Sequence, residues 1–164
     1  MIKLCEINEC NWLKVISLSV SNDQKEYLDS PVGIIARGYV YRDHRAKVYA
    51  ILHDNEPVGL ALVKDLDEEP ACYDLQQFLI DKRFQGKGFG TKALSLLLEL
   101  LEAEQKYECT EVCVDKRNAA ALRLFQKAGF TDTGYTDPEL PGCMNLRFAF
   151  SPHSDAALHG SFAP

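Results

Sequence analysis

The sequence lacks any recognisable metal-binding pattern. Its six cysteines include no C-x-x-C pair, and no set of cysteines and histidines has the spacing of metal ligands. We therefore predict that the protein has no metal site. Disulfides are rare in the cytoplasm, so free thiols and a cytoplasmic location are expected. The cysteines are Cys5, Cys10, Cys72, Cys109, Cys113 and Cys143.

Long hydrophobic runs and an excess of basic residues are also missing. No apolar run approaches the roughly 18 residues that predict a membrane span, and the segment after Met1 does not resemble a secretory signal. Lys and Arg total 18 against 24 Asp and Glu, which gives a net charge of -6. Nucleic-acid binding needs a basic face, so neither nucleic acid nor membrane is an expected partner. The acidic charge is compatible with a cationic substrate.

The length and composition are those of an ordinary globular protein. The chain has 164 residues, of which 46% are hydrophobic and 26% charged. This length suits one domain with a substantial core. We predict that residues 1–150 form this domain. Residues 151–164 show little hydrophobic periodicity and are predicted to form a flexible tail.

Hydrophobic periodicity and turn residues predict seven strands and four helices. The expected order is βααβββαβαββ, which indicates an α/β (α+β) fold. We expect a mixed, mostly antiparallel sheet with helices on both faces. Strands are predicted at 2–7, 47–53, 57–64, 72–80, 110–114, 130–135 and 144–150. Helices are predicted at 11–20, from Ser30-Pro31 onwards, at 88–107 and at 118–128.

Three glycines, each separated by one residue, follow the strand predicted at 72–80. They are Gly86, Gly88 and Gly90, and a Leu-rich helix comes directly after them. Glycines allow backbone N–H groups to turn toward one point, and the first N–H groups of a helix have no partner within it. Such a place binds phosphate. The alternative interpretation is a connecting loop without a ligand.

This loop does not match two common phosphate motifs. A P-loop requires Ser or Thr after Gly86-Lys87, where this chain has Gly88, and a dinucleotide fingerprint requires a glycine in place of Thr91. The pattern that fits is Gln-x-x-Gly-x-Gly, formed by Gln85, Gly88 and Gly90. It resembles the acetyl-CoA pyrophosphate loop of the GNAT acyltransferases.

Two further segments carry the same resemblance. Residues 118–130, which read Asn-x-x-Ala-x-x-Leu-Phe-x-x-x-Gly-Phe, resemble the second signature of the family. Residues 20–30, which read Val-Ser-x-x-Gln-x-x-Tyr-Leu-x-Ser, resemble bacterial spermine/spermidine acetyltransferases near their amine-binding groove. The resemblance covers roughly residues 2–150 and implies the GNAT fold and a homodimer.

The resemblance implies transfer of an acetyl group from acetyl-CoA to a primary amine within a ternary complex. In such enzymes the backbone of the fourth strand pairs with pantetheine, and the glycine loop binds the pyrophosphate. The cofactor residues implied are Phe78, Leu79, Ile80, Gln85, Gly86, Lys87, Gly88, Phe89, Gly90, Thr91, Asn118, Ala121 and Phe125.

The sequence departs from the family at the positions of the proton transfers. Relatives often have Glu or Asp at the position of Gln76 and Tyr at that of Phe125, and neither residue here can replace that function. Asp74 is predicted to act as a base through a water molecule, since the amine must lose a proton before it attacks. Tyr135 is the predicted acid, with Tyr107 and Cys113 as alternatives.

Substrate binding is predicted for Tyr27, Glu26 and Gln76. A polyamine is a polycation, so carboxylates are expected to line its groove, and a tyrosine ring can stack on an amine. A small amine such as spermine or spermidine is the expected acceptor. The alternatives are an amine on a protein, a peptide or an antibiotic. A module that binds acyl-CoA without catalysis is a further alternative, favoured by Gln76 and Phe125.

Overall fold

The computed structural model describes residues 1–151, so the predicted tail lies outside the described residues from position 152 onward. The seven strands are β1 (Ile2–Glu6), β2 (Lys47–His53), β3 (Glu56–Leu66), β4 (Cys72–Ile80), β5 (Cys109–Asp115), β6 (Thr131–Asp132) and β7 (Cys143–Ala149). The α-helices are α1 (Trp12–Ile16), α2 (Pro31–Val40), α3 (Phe89–Glu104) and α4 (Ala119–Lys127). Short 3₁₀ turns lie at Asn22–Gln24 and Arg42–His44.

The predicted order of strands and helices is confirmed; α3 ends three residues earlier than predicted, and α1 and β6 are much shorter than predicted. The N–H groups of Ser17 and Leu18 bond three residues back, so α1 closes in a tight turn and does not continue to residue 20. Strand β6 has only two residues because the chain turns at Gly134, which has φ +73° and whose N–H is held by the Asp132 side chain.

The strands form one sheet in the order β1-β2-β3-β4-β5-β7-β6. Every neighbouring pair is antiparallel except β4 and β5, which α3 connects as a crossover. This parallel pair is very short, because only Tyr73 with Thr110 and Asp74 with Glu111 are paired. Beyond these residues the two strands diverge, and a gap opens in the middle of the sheet.

A β-bulge in β4 marks the start of this gap. Leu62 of β3 pairs with Gln77 and Val63 pairs with Leu75, so Gln76 is an extra residue on β4. A bulge reverses which alternate residues face each side of the sheet. Leu75 before the bulge and Phe78 after it consequently pack on the same side.

The helices cover both faces of the sheet, as predicted. The larger core cluster lies under α3 and α4 and includes Leu94, Leu97 and Phe125. The opposite cluster lies under α1 and α2 and includes Val15 and Ile34. Sheets that are covered on both sides bury near-continuous apolar runs, which accounts for the seven consecutive buried residues from 57 to 63 in β3.

A buried carboxylate fixes the end of β4. Asp81 is fully buried and accepts hydrogen bonds from the backbone N–H of Ser19 at 2.8 Å and from the backbone N–H of Arg83 at 2.9 Å. The Arg83 guanidinium also donates to both of its carboxylate oxygens. Burial raises the pKa of Asp81, but these hydrogen bonds outweigh burial and hold the pKa below its usual value.

We expect Asp81→Asn to lower the free energy of unfolding by about 2 kcal/mol at pH 7, because an amide cannot accept all of these hydrogen bonds. A depressed pKa contributes stability above the unfolded pKa and loses it as pH falls through the folded pKa. The difference in the free energy of unfolding between wild type and variant should therefore shrink below about pH 4. Urea unfolding from pH 7 to below pH 4 measures this difference, and Asp43→Asn, at an exposed position, is the control. A difference that persists unchanged at low pH would contradict this account of Asp81.

Candidate active site

A cavity of about 410 Å³ occupies the gap between β4 and β5. Residues of these two strands form its walls, and the first turns of α3 and α4 line it further along. The linker between α1 and α2 covers one side. The linker and β4 contribute the lining residues Val20, Gln24, Tyr27, Leu28, Leu75, Gln76, Phe78 and Ile80. The glycine loop, the start of α3, β5 and the α4 region contribute Phe84, Gln85, Gly86, Gly88, Gly90, Thr91, Val112, Cys113, Val114, Asp115, Asn118, Ala120, Ala121, Leu124 and Phe125.

The glycine loop lines one end of this cavity. Gly86 and Gly88 have φ +74° and +78°, a conformation that side chains rarely adopt. A Cβ at either position would meet no atom within 4 Å, so the backbone there faces open space. The bond from Lys92 N to Gly88 O begins the hydrogen bonds of α3. The N–H groups before Lys92 therefore have no acceptor within the helix, and the helix dipole adds positive potential around them.

The turn after β5 repeats the turn after β4. Both read Asp-Lys-Arg, at residues 81–83 and 115–117. Asp115 accepts from the backbone N–H of Arg117 at 2.8 Å and from its guanidinium at 3.1 and 2.8 Å. The pKa of Asp115 is lowered, chiefly by these hydrogen bonds from Arg117. Asn118 follows, and its Oδ1 accepts from Ala121 N at 3.2 Å, which caps α4 as predicted.

Two side-chain bridges tie the α1–α2 linker to the turns that bound the cavity. Gln85 Nε2 donates to Gln24 Oε1 and to Ile80 O, both at 2.8 Å. On the other side of the cavity the Arg117 guanidinium lies 3.2 Å from Glu26. The same guanidinium lies over the ring of Tyr27, 5.5 Å from its centroid. Two carboxylates and an aromatic ring therefore surround one cation at the edge of the cavity.

Asp74 and Gln76 form a hydrogen-bonded pair at the bulge. Gln76 Nε2 donates to Asp74 Oδ2 at 3.0 Å, and Lys64 Nζ lies 3.5 Å from the same oxygen. Burial raises the pKa of Asp74, while Lys64 and the Gln76 hydrogen bond oppose this shift. Gln76 Oε1 is buried and has no hydrogen-bond partner among the described residues.

Among the three predicted acids, only Cys113 lines the cavity. Desolvation and the neighbouring Cys143 raise the pKa of Cys113 to about 12, which makes it a weak acid. Tyr107 packs edge-on against Tyr73, on another part of the protein. Tyr135 is 61% exposed and does not line the cavity. Phe125 is buried in the core below the cavity.

The structure brings most of the predicted site residues together. Ten of the predicted cofactor residues line the cavity, as do Tyr27 and Gln76. Among residues 1–151, the predicted residues outside the lining are Asp74, Tyr135, Glu26, Leu79, Lys87 and Phe89. Leu79 packs on the opposite face of the sheet, and the Phe89 ring stacks on His53 with centroids 4.5 Å apart. The alternation of side chains along β4 explains the position of Leu79.

Three site residues were missed from the sequence, namely Arg117, Asp115 and Asp81, whereas Gln24 stands in the motif at residues 20–30 but was given no role. The repeated Asp-Lys-Arg triplet was the one available signal for these three, since Asp followed by a backbone turn is a known capping arrangement. Within residues 1–151 no group of three or more His, Cys, Asp or Glu side chains is placed to hold a metal ion. No helix in the described part of the chain is long and apolar enough to cross a membrane.

Comparison with known proteins identifies the family. Residues 7–130 match the acetyltransferase (GNAT) family, so the chain belongs to it and is a GNAT acetyltransferase. It is 28% identical over 141 residues to the spermine/spermidine N(1)-acetyltransferase of Bacillus subtilis (strain 168), covering 83% of this chain and 91% of that protein. It is 25% identical over 134 residues to an aminoglycoside N(6')-acetyltransferase type 1 of Klebsiella pneumoniae, covering 75% and 62%.

Solved structures have the same fold. The aminoglycoside acetyltransferase AAC(6')-Ib in complex with coenzyme A superposes with a TM-score of 0.74 at 21% identity, covering 91% of this chain and 95% of that one. Spermidine N-acetyltransferase from Vibrio cholerae, in complex with CoA and spermine, gives 0.70 at 14% identity, covering 90% and 95%. The predicted GNAT fold and the resemblance to polyamine acetyltransferases are both confirmed.

We expect Gly88→Asp to weaken acetyl-CoA binding at least tenfold, because a carboxylate there would face the pyrophosphate. Gly134→Asp is a matched control. Gly134 has a similar φ of +73° and equally open space, but it lies outside the cavity lining. Both substitutions carry the same backbone cost of about 1 kcal/mol. Calorimetric titration with acetyl-CoA compares them, and equal affinities in the two variants would remove the loop from the cofactor site.

Proposed function

We propose that this protein transfers the acetyl group of acetyl-CoA to a primary amine of a polyamine such as spermidine or spermine. The observation that carries the proposal is one cavity with two chemically different ends. One end is a cluster of backbone N–H groups at the start of α3. The other lies beside Tyr27 and Gln76, next to carboxylates at the cavity edge. The relationship to spermine/spermidine acetyltransferases supports a polyamine as the acceptor.

The residues present fit acetyl-CoA. Gly86 and Gly88 leave open space in front of the backbone, where a phosphate can approach N–H groups closely. Beyond Asp74, no described residue of β5 pairs with the edge of β4 that faces it. The backbone of residues 78–80 can therefore bond the amides of pantetheine. Asn118 and Ala121 line the cavity on the side of α4. Lys87, outside the lining, adds positive charge near the loop.

When bound, acetyl-CoA supplies a thioester carbonyl that a neutral amine can attack. The chain then has to orient the amine, exclude water and tolerate the proton transfers. Neither Cys113 nor Phe125 readily supplies a proton to the leaving thiolate, because the pKa of Cys113 is raised to about 12 and Phe125 has no ionisable proton. A thiolate is a fair leaving group, so turnover does not require an acid. Tyr135 has no assigned step, since it lies away from the cavity.

The edge of the cavity suits a cationic acceptor. Glu26, Asp115 and the Tyr27 ring surround the Arg117 guanidinium. Carboxylates and an aromatic face are the groups that recognise an ammonium. A second ammonium of a polyamine would compete with Arg117 for these groups while the first amine reaches Gln76.

An aminoglycoside is the second candidate acceptor. It is also a polycationic amine, and the aminoglycoside acetyltransferase AAC(6')-Ib shares the fold. The alignment covers 91% of the spermine/spermidine relative but only 62% of the aminoglycoside relative. This difference favours the polyamine.

We expect the wild-type protein to release CoA thiol from acetyl-CoA when spermidine or spermine is added, and to release less with aminoglycosides or peptides. Thiol release measured against a panel of amines tests this expectation, and mass spectrometry of the product identifies the acetylated nitrogen. Tight acetyl-CoA binding without turnover of any amine would instead select the non-catalytic acyl-CoA-binding function.

We expect Glu26→Gln to raise KM for spermidine and Arg117→Gln to lower it, each by roughly two- to fivefold, as for exposed charge pairs. The two substitutions remove opposite charges from the same place, so their effects should have opposite signs. KM for acetyl-CoA should not change. Glu9→Gln, at another exposed glutamate, is the control. Equal effects of Glu26→Gln and Glu9→Gln would exclude Glu26 from acceptor binding.

A further inference from the structure

An unpaired acceptor atom belongs to a residue that lines the cavity. Gln76 lines the cavity, and its Oε1 is buried without a hydrogen-bond partner among residues 1–151. Buried carbonyl oxygens in native proteins are nearly always hydrogen-bonded, so an exception requires an explanation. A donor on a bound ligand would satisfy this atom.

The surrounding charges fix which end of the Gln76 amide faces the ligand. An ionised carboxylate only accepts hydrogen bonds, so Asp74 must receive the NH₂ group of Gln76. Lys64, whose side chain is only 11% exposed, lies 3.5 Å from Asp74 and opposes the rise that burial causes in the pKa of Asp74. Glu111, which pairs with Asp74 across the strands, is itself held by Arg147 at 2.8 Å. The oxygen is therefore the end of the amide that has no protein partner among residues 1–151 and is left for a ligand.

The β-bulge provides the backbone geometry for this arrangement. In regular strand pairing every residue of β4 has a partner on β3, but Gln76 is the extra residue and has none. It also lies two residues beyond Asp74, the last residue of β4 that pairs with β5. Its side chain is thus placed where the gap between the strands begins.

We infer that Gln76 Oε1 accepts a hydrogen bond from the N–H of the attacking amine, and that Asp74 is a positioning residue that orients the Gln76 amide. This inference rests on the proposed amine acetyltransferase activity. Asp74 does not line the cavity, and in this arrangement it acts on Gln76 and not on the proton of the amine.

The hydrogen bond favours the reaction for a physical reason. A neutral amine that donates one N–H to Oε1 keeps its lone pair for attack on the thioester carbon. The step forms the amide C–N bond, breaks the C–S bond and moves one proton from nitrogen to sulfur. Positive charge develops on nitrogen as the new bond forms, so the hydrogen bond becomes charge-assisted and strengthens in the transition state.

A hydrogen bond from the amine to Gln76, which is not a base, has a measurable consequence. A glutamine carbonyl does not take up a proton near neutral pH, so the amine must arrive deprotonated. We expect kcat/KM to rise with pH along a limb that follows the pKa of the acceptor itself. Acceptors with different amine pKa values should therefore shift this limb by the difference between them.

The first test removes the acceptor atom. We expect Gln76→Leu to lower kcat/KM for spermidine by about ten- to a hundredfold, the effect of losing a hydrogen bond to a charged group. Calorimetry should show weaker spermidine binding and unchanged CoA binding. Gln77→Leu is the control, because Gln77 is on the same strand but outside the cavity lining, where it accepts from Asp29 N at 3.1 Å. Equal activity of the two variants would overturn the role of Gln76.

The second test separates an orienting role from a base. Asp74→Asn keeps an oxygen that can accept from Gln76 Nε2, whereas Asp74→Leu does not. If Asp74 orients Gln76, Asp74→Asn should retain most of kcat/KM with an unchanged pH dependence, and Asp74→Leu should behave like Gln76→Leu. If Asp74 is a base, both Asp74 variants should lose most of kcat/KM. If Asp74→Leu does not fold, kcat/KM of Asp74→Asn alone distinguishes an orienting role from a base.

The outcomes also separate this inference from the proposed function. A wild-type protein that acetylates no amine contradicts the proposed function. A wild-type protein that acetylates spermidine, with kcat/KM unaffected by Gln76→Leu or strongly reduced by Asp74→Asn, contradicts only the inference about Gln76 and Asp74.

Discussion

The candidate site depends on the early separation of β4 from β5. The two strands pair at only two positions and then diverge, and the bulge at Gln76 lies two residues after the last pair. A fully paired sheet would leave no room at its centre, since neighbouring strands lie about 5 Å apart. The gap provides the cavity, an unpaired strand edge and the position of Gln76. One irregularity in hydrogen bonding therefore creates three parts of the site.

The walls of this gap are fixed by hydrogen bonds around carboxylates. Asp81 and Asp115 end the two strands in the same way, each accepting from the backbone and the guanidinium of the arginine two residues later. The two turns differ in burial. Asp81 is fully enclosed and bonds Ser19, so it holds the glycine loop rigidly. Arg117 is exposed and holds the linker through Glu26, so this contact can exchange with a cationic ligand.

Much of the fold was predictable because its signals are local. Ser30 caps α2 by accepting from Gly33 N, Asn118 caps α4, and β4 runs from Cys72 to Ile80 as its apolar run predicted. The predicted bounds were less accurate for elements with weak local signals. Trp12, Val15 and Ile16 have helical spacing, but only one turn forms, because the next residues are needed to lead Ser19 to Asp81. Tertiary contacts override a marginal periodicity in such short helices.

The sequence by itself determined the family, the order of the elements and the glycine loop, because each follows from residues that are near neighbours in the chain. Glycines at positive φ and helix caps act over a few bonds. Only the tertiary structure decided the bulge, the contacts of Asp74 with Gln76 and Lys64, and the contact of Glu26 with Arg117. These depend on strand register and on residues as many as 91 positions apart, and no local pattern encodes how distant segments align.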